Sequence, residues 1–95
     1  MRYEFAQAAR EEFIAAMEYY ELQQAELGIT FSEQVHETIG RIIDHPAGWS
    51  PLDDTFHRCL VNQFPFALIY TIENNTLLIA SVMNLHRKPD YWRSK

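Results

Sequence analysis

Lysine is absent from the first 87 residues of this 95-residue chain, and only Lys88 and Lys95 follow. That absence, with a formal net charge of −5, argues against a protein that coats nucleic acid, which needs many phosphate contacts. A single cysteine, Cys59, excludes an internal disulfide. The three glycines, Gly28, Gly40 and Gly48, are too scattered to make a phosphate-cradling loop, and no Ser-centred nucleophile motif is present. No apolar run approaches the length of a membrane span. Met1-Arg2-Tyr3-Glu4-Phe5 lacks the apolar stretch of a secretory signal, so the expected compartment is the cytoplasm.

Metal ligands are also missing as a set. His57 and Cys59 share one face of a strand, and His36 and His45 are nine residues apart on a helix, too far to share one ligand-presenting turn. Neither a metal nor a cofactor is expected.

What is present is a compact, aromatic-rich chain. Hydrophobic residues make up 47% and aromatics 14%, which excludes disorder and fits one domain over residues 1–95. Charge is split along it. Residues 1–54 carry three basic and eleven acidic residues, a net of −8; residues 55–95 carry five basic and two acidic, a net of +3. Four of the eight Lys and Arg residues fall in the last eleven positions, beside His86, Tyr91 and Trp92.

Periodicity gives the elements. Tyr3 to Phe5 reads as a short strand. From Gln7 to Leu27, Phe13, Ala16, Met17, Tyr20, Gln24 and Leu27 recur at helical spacing, and Gly28 reads as the C-cap. Thr30-Phe31-Ser32-Glu33 has the form of a capping box for a second helix, which Asp44-His45-Pro46 closes. After a turn-rich loop over residues 46–54, strands are expected at Phe56–Gln63, Phe66–Glu73 and Thr76–Asn84, with Asn74-Asn75 as a hairpin turn. The order β-α-α-β-β-β predicts an α+β fold, a helical hairpin packed on a small, mainly antiparallel sheet.

Tyr19-Tyr20 late in the first helix, Phe64-Pro65-Phe66 between strands, Tyr70 in the next strand, and a last strand running into His86-Arg87-Lys88-Pro89 and Tyr91-Trp92 stand in a telling order. In these features, along nearly its whole length, the chain resembles the RelE/ParE family of bacterial type II toxins, the plasmid stabilization proteins. The resemblance implies a toxin neutralised by a cognate antitoxin protein, and it also allows a homodimer. It implies one of two actions: ribosome-dependent mRNA cleavage or inhibition of DNA gyrase. A non-enzymatic interaction module, or an inactive or repurposed homologue, is the alternative.

The resemblance also marks residues. In nucleolytic relatives an arginine on the strand that carries Arg58 contacts the scissile phosphate, a task suited to its planar, permanently charged fork. Arg58 is either that group or a surface residue on the open sheet face. His86 is the candidate acid for the leaving oxygen, Arg87 a second charge stabiliser, and Lys88 and Tyr91 candidates for holding a nucleotide. Trp92 reads as a packing anchor. His86 and Arg87 are expected to face Arg58 across neighbouring strands. Against the nuclease, the basic clusters of ribosome-dependent relatives are replaced here by Asp53-Asp54-Thr55 and Asn62-Gln63, and no carboxylate base is evident on the strand.

Overall fold

The computed structural model describes residues 1–86. They form β1 (Arg2–Phe5), α1 (Gln7–Gln23), α2 (Leu27–Asp44), β2 (Ser50–Pro51), β3 (His57–Leu60), β4 (Phe66–Glu73) and β5 (Thr76–Asn84). The strands make one sheet in the order β1-β5-β4-β3-β2. β1 runs parallel to β5 and every other pairing is antiparallel. The expected α+β architecture is therefore the observed one. The two-residue β2 is an addition to it, lying in the stretch expected to be loop; its Pro51 is tolerated because the strand is at the sheet edge.

The main core lies between the helices and one sheet face. Phe31, Val35, Ile39 and Ile42 of α2, with Ala9 and Ala16 of α1, pack against Cys59, Leu68, Tyr70, Leu77, Ile79 and Val82. Tyr20, Phe31, Phe64 and Phe66 form an edge-to-face cluster where the hairpin meets the end of the sheet, with centroids 4.8 Å apart for Tyr20–Phe64 and 5.0 Å for Phe31–Phe66. Phe64-Pro65-Phe66 thus serves packing. Asn74 and Asn75 both take positive φ, at 50° and 57°, and close the β4–β5 hairpin as their turn chemistry predicts.

The junction between the helices differs from the sequence reading. α1 stops at Gln23 and α2 begins at Leu27, so Gly28 is an early residue of the second helix and not the cap of the first. The left-handed residue is Glu26, with φ 72°. Thr30 lies inside α2, and its hydroxyl donates back to the Glu26 carbonyl at 3.3 Å, so no capping box forms. Its role is filled from the other helix: the Glu21 carboxylate accepts from the Glu26 N–H at 2.9 Å and the Gly28 N–H at 3.1 Å. A carboxylate at a helix N-terminus also meets the positive end of the dipole.

Gly28 is needed for proximity. A Cβ there would stand 2.5 Å from the Met17 carbonyl oxygen and 3.1 Å from the Glu21 side chain, so the helices approach more closely than any other residue permits. Gly40, in contrast, has open space around it on the exposed side of α2. The two glycines predict opposite outcomes in thermal or urea unfolding. Gly28→Ala destabilises by about 1–3 kcal/mol through overpacking, whereas Gly40→Ala stabilises by up to about 1 kcal/mol through helix propensity.

Candidate functional site

Arg58 lies in the middle of β3, between Ser50 of β2 and Ile69 of β4. Its neighbours Cys59 and His57 pair with Leu68 and Tyr70, which belong to the helix-side core. Alternation therefore puts Arg58 on the opposite, outer face with Ile69. That face carries a second, smaller apolar cluster of Ala67, Ile69 and Met83, with Phe56 and Ala80 packed on it. The arginine is half-buried there.

His86 lies elsewhere. It follows β5 in an exposed turn, where its N–H donates to the Asn84 side-chain oxygen at 2.9 Å and the preceding Leu85 N–H donates to the Pro65 carbonyl at 2.8 Å. β4 stands between β3 and β5, and the residue of β5 level with Arg58 is Ser81, through Ile69. Arg58 is thus two strand spacings away, roughly 10 Å, and three strand residues, about another 10 Å, precede the turn that carries His86. The expectation that His86 faces Arg58 across neighbouring strands is corrected by this register. Arg87, Lys88 and Tyr91 lie outside the described residues.

What His86 does share is a groove of about 470 Å³ between α1 and the end of the sheet, lined also by Glu12, Ala15, Tyr19, Tyr20, Phe66 and Val82. β5, which forms one side of the groove, is irregular. Ile69 pairs with Ser81 but Tyr70 pairs with Ile79, which leaves Ala80 as an extra residue, a β-bulge. Ile79 and Val82 are three residues apart and would face opposite ways in a regular strand; the bulge turns both toward the helices. β1 ends at Phe5, opposite Ile79, so among the described residues the part of β5 beyond Ile79 has no neighbouring strand on that side. Glu12 of α1 fills the gap. Its carboxylate accepts from the Ser81 hydroxyl and the Val82 N–H, each at 3.0 Å. Glu12 and Glu21 are structural acceptors. Nothing in helical periodicity marks them, because their partners are backbone groups set by the bulge and the hairpin turn.

At the other end of the sheet, His57 stacks on Tyr70 with centroids 5.4 Å apart and planes 20° apart. The buried Tyr70 hydroxyl donates to the Pro46 carbonyl at 2.7 Å, which ties the loop after α2 to the central strand. Burial, with a smaller contribution from Cys59, pushes the Tyr70 phenol up to about 12. Burial likewise raises Cys59, opposed by the nearby Arg41, so this thiol is a core side chain and not a nucleophile. Arg41 fixes the same loop: it donates to the Leu60 carbonyl at 3.0 Å and lies over the Trp49 ring, whose Nε1 donates to the Arg41 carbonyl at 3.2 Å. Among the described residues no three His, Cys, Asp or Glu side chains gather as a metal site.

The fold is similar to a solved chain of the chromosomal ParDE TA system from P. aeruginosa, with a TM-score of 0.75 over 90% of this chain and 96% of that one. The fold is the RelE/ParE-like one. Identity over the match is 12%, so the likeness is one of architecture. No protein-family model matches the sequence. No curated protein matches it either.

The phenol predicts a pH effect. Because the folded state holds the Tyr70 proton more tightly than the unfolded chain, its contribution is whole below the ordinary value near 10 and is lost as pH rises toward about 12. Tyr70→Phe loses about 1 kcal/mol with its hydrogen bond below pH 10. In Tm measured across pH 8–12, the variant shows a shallower alkaline decline than the parent.

Proposed function

We propose that this chain is the growth-inhibiting toxin of a type II toxin–antitoxin pair, neutralised by a cognate antitoxin, and that it acts on DNA gyrase through surface contact. The observation that carries the toxin reading is the likeness in fold to a chain of a ParDE TA system along 90% of the chain, combined with the sequence features in their RelE/ParE order. Three observations favour gyrase over mRNA cleavage. Arg58 and His86 occupy different regions, with the register keeping them apart. The loop residue Asp53 spends one carboxylate oxygen on the Thr55 and Phe56 N–H groups, both at 2.8 Å, in a turn that stands where nucleolytic relatives are basic. The first 54 residues are net negative by eight charges, which repels RNA.

mRNA cleavage is the second reading, and the placement of Arg58 on the outer sheet face supports it, since that surface lies away from the helices. Arg58, His86, Arg87, Lys88 and Tyr91 are its proposed site residues, in the roles of phosphate contact, acid, charge stabilisation and nucleotide binding.

Inducible expression, with mRNA integrity, plasmid supercoiling and growth followed together, separates the readings. The expected result is growth arrest with altered supercoiling and intact mRNA, retained in Arg58→Ala and His86→Ala, and relieved by the antitoxin. Cleaved mRNA that either substitution abolishes establishes the nuclease instead. Normal growth on expression identifies an interaction module or repurposed homologue.

A further inference from the structure

β3 is shorter than the strand it pairs with. It begins at His57, opposite Tyr70, while β4 runs on to Glu73. Among the described residues, β4 from Thr71 to Glu73 therefore pairs with β5 alone. The Phe66 carbonyl accepts from the Val61 N–H across this flank at 2.9 Å, so by alternation the Ile72 N–H and C=O point to the same side. A notch of about 460 Å³ lies there, between the end of β4 and the loops before and after β2.

The walls of the notch are held in place. The Tyr70 hydroxyl donates to the Pro46 carbonyl at 2.7 Å on one side. On the other, the Asp53 carboxylate accepts from the Thr55 and Phe56 N–H groups, both at 2.8 Å. Asp53 is thus turned into its own loop, and Asp54 lines the notch together with Glu73. Neither Asp54 nor Glu73 has a hydrogen bond or an ion pair among the described residues, where Arg2–Glu4 is the sole salt bridge. Thr71 lines the same notch and is only 7% exposed, yet among the described residues its hydroxyl has no hydrogen-bond partner. No fully buried side-chain oxygen there is unpartnered, so this hydroxyl meets the open space of the cavity. A hydroxyl so placed, with no bond inside the fold, calls for a partner from outside it.

Charge and shape decide that partner. Two carboxylates, a hydroxyl and a strand-edge carbonyl are acceptors, and the negative end of the α2 dipole lies beside Pro46. His57 is the one basic side chain in the lining, and it stacks on Tyr70. Arg58 stands on the outer sheet face with Ile69 and forms no ion pair with Asp54 or Glu73. An anion is repelled by the carboxylates, and an apolar group leaves them desolvated without a counter-charge. A planar cation with several donors satisfies them. The volume suits a small organic group.

We propose that this notch binds a guanidinium group, carried by a free guanidino compound or by an arginine side chain of another protein. The Asp54 and Glu73 carboxylates hold its charge. The Thr71 hydroxyl and the Ile72 carbonyl accept from its remaining N–H groups. The site uses neither Arg58 nor His86 and holds whether or not the chain arrests growth.

Titration of the full chain with n-butylguanidinium, followed by amide NMR, tests this. The expected result is saturable shifts at Thr55, Thr71 and Glu73, with a midpoint of about 1 mM or lower. Asp54→Asn and Glu73→Gln each weaken binding about tenfold, and Thr71→Val weakens it several-fold. Glu33→Gln, at an exposed carboxylate of α2 outside the notch, leaves it unchanged. n-Butylammonium, a point charge without the planar fork, binds more weakly. The three notch substitutions keep the shape of the parent residue, and the dispersion of the other amides reports that each variant is folded. A blocked Gly-Arg-Gly peptide that binds at least as tightly as butylguanidinium assigns the site to a protein's arginine; weaker binding assigns it to a free compound. Shifts that never saturate overturn the proposal. So does equal binding by the parent and the three notch variants, or equal affinity for butylammonium.

Discussion

The layers of this protein are joined at the Glu12 carboxylate. α1 crosses the sheet where β1 has already ended, beside a stretch of β5 that among the described residues has no strand on that flank. An N–H left there without a partner costs about 1–3 kcal/mol. Glu12 supplies the acceptor to Val82 and to the buried Ser81 hydroxyl, and a charged acceptor makes the stronger kind of hydrogen bond. The bulge at Ala80 makes this geometry available, and it also lets Ile79 and Val82 both face the core. Among the described residues no buried side-chain nitrogen or oxygen lacks a partner. Glu12 also lines the groove beside Tyr19, with His86 at its rim.

The acidity of the helical hairpin consequently has two meanings. Glu12 and Glu21 are internal acceptors, one for a strand and one for a helix N-terminus. Glu11 and Glu18 remain outside, interleaved with exposed Ile14 and Leu22. The same sign of charge turns away RNA, which is why chemistry centred on Arg58 and His86 takes second place.

The sequence carried the architecture because its signals were local. The apolar run of Phe66–Glu73, the Asn74-Asn75 turn and the proline-bounded end of the second helix each state one element, and all are observed. What it concealed depends on contacts between elements. Gly28 looked like a C-cap because a glycine after an apolar helix usually is one; its real constraint is the Met17 carbonyl of the other helix. The bulge at Ala80 leaves no mark in a strand of mixed apolar residues, yet it sets the register. Arg58 and His86 are kept apart by β4, which stands between β3 and β5. The order of motifs revealed the fold, while the placement of the candidate residues depended on strand order and register that no motif encodes.

Amide hydrogen exchange at Val82, followed by NMR in the parent and in Glu12→Ala, tests the central link most directly. If the Glu12 carboxylate joins α1 to the bulged strand, the Val82 amide is protected in the parent and exchanges at least tenfold faster in the variant, on the order of 1.4 kcal/mol of local stability. Amides of β4 that pair away from the bulge keep their protection. Unchanged exchange at Val82, or an equal loss across the whole sheet, contradicts it.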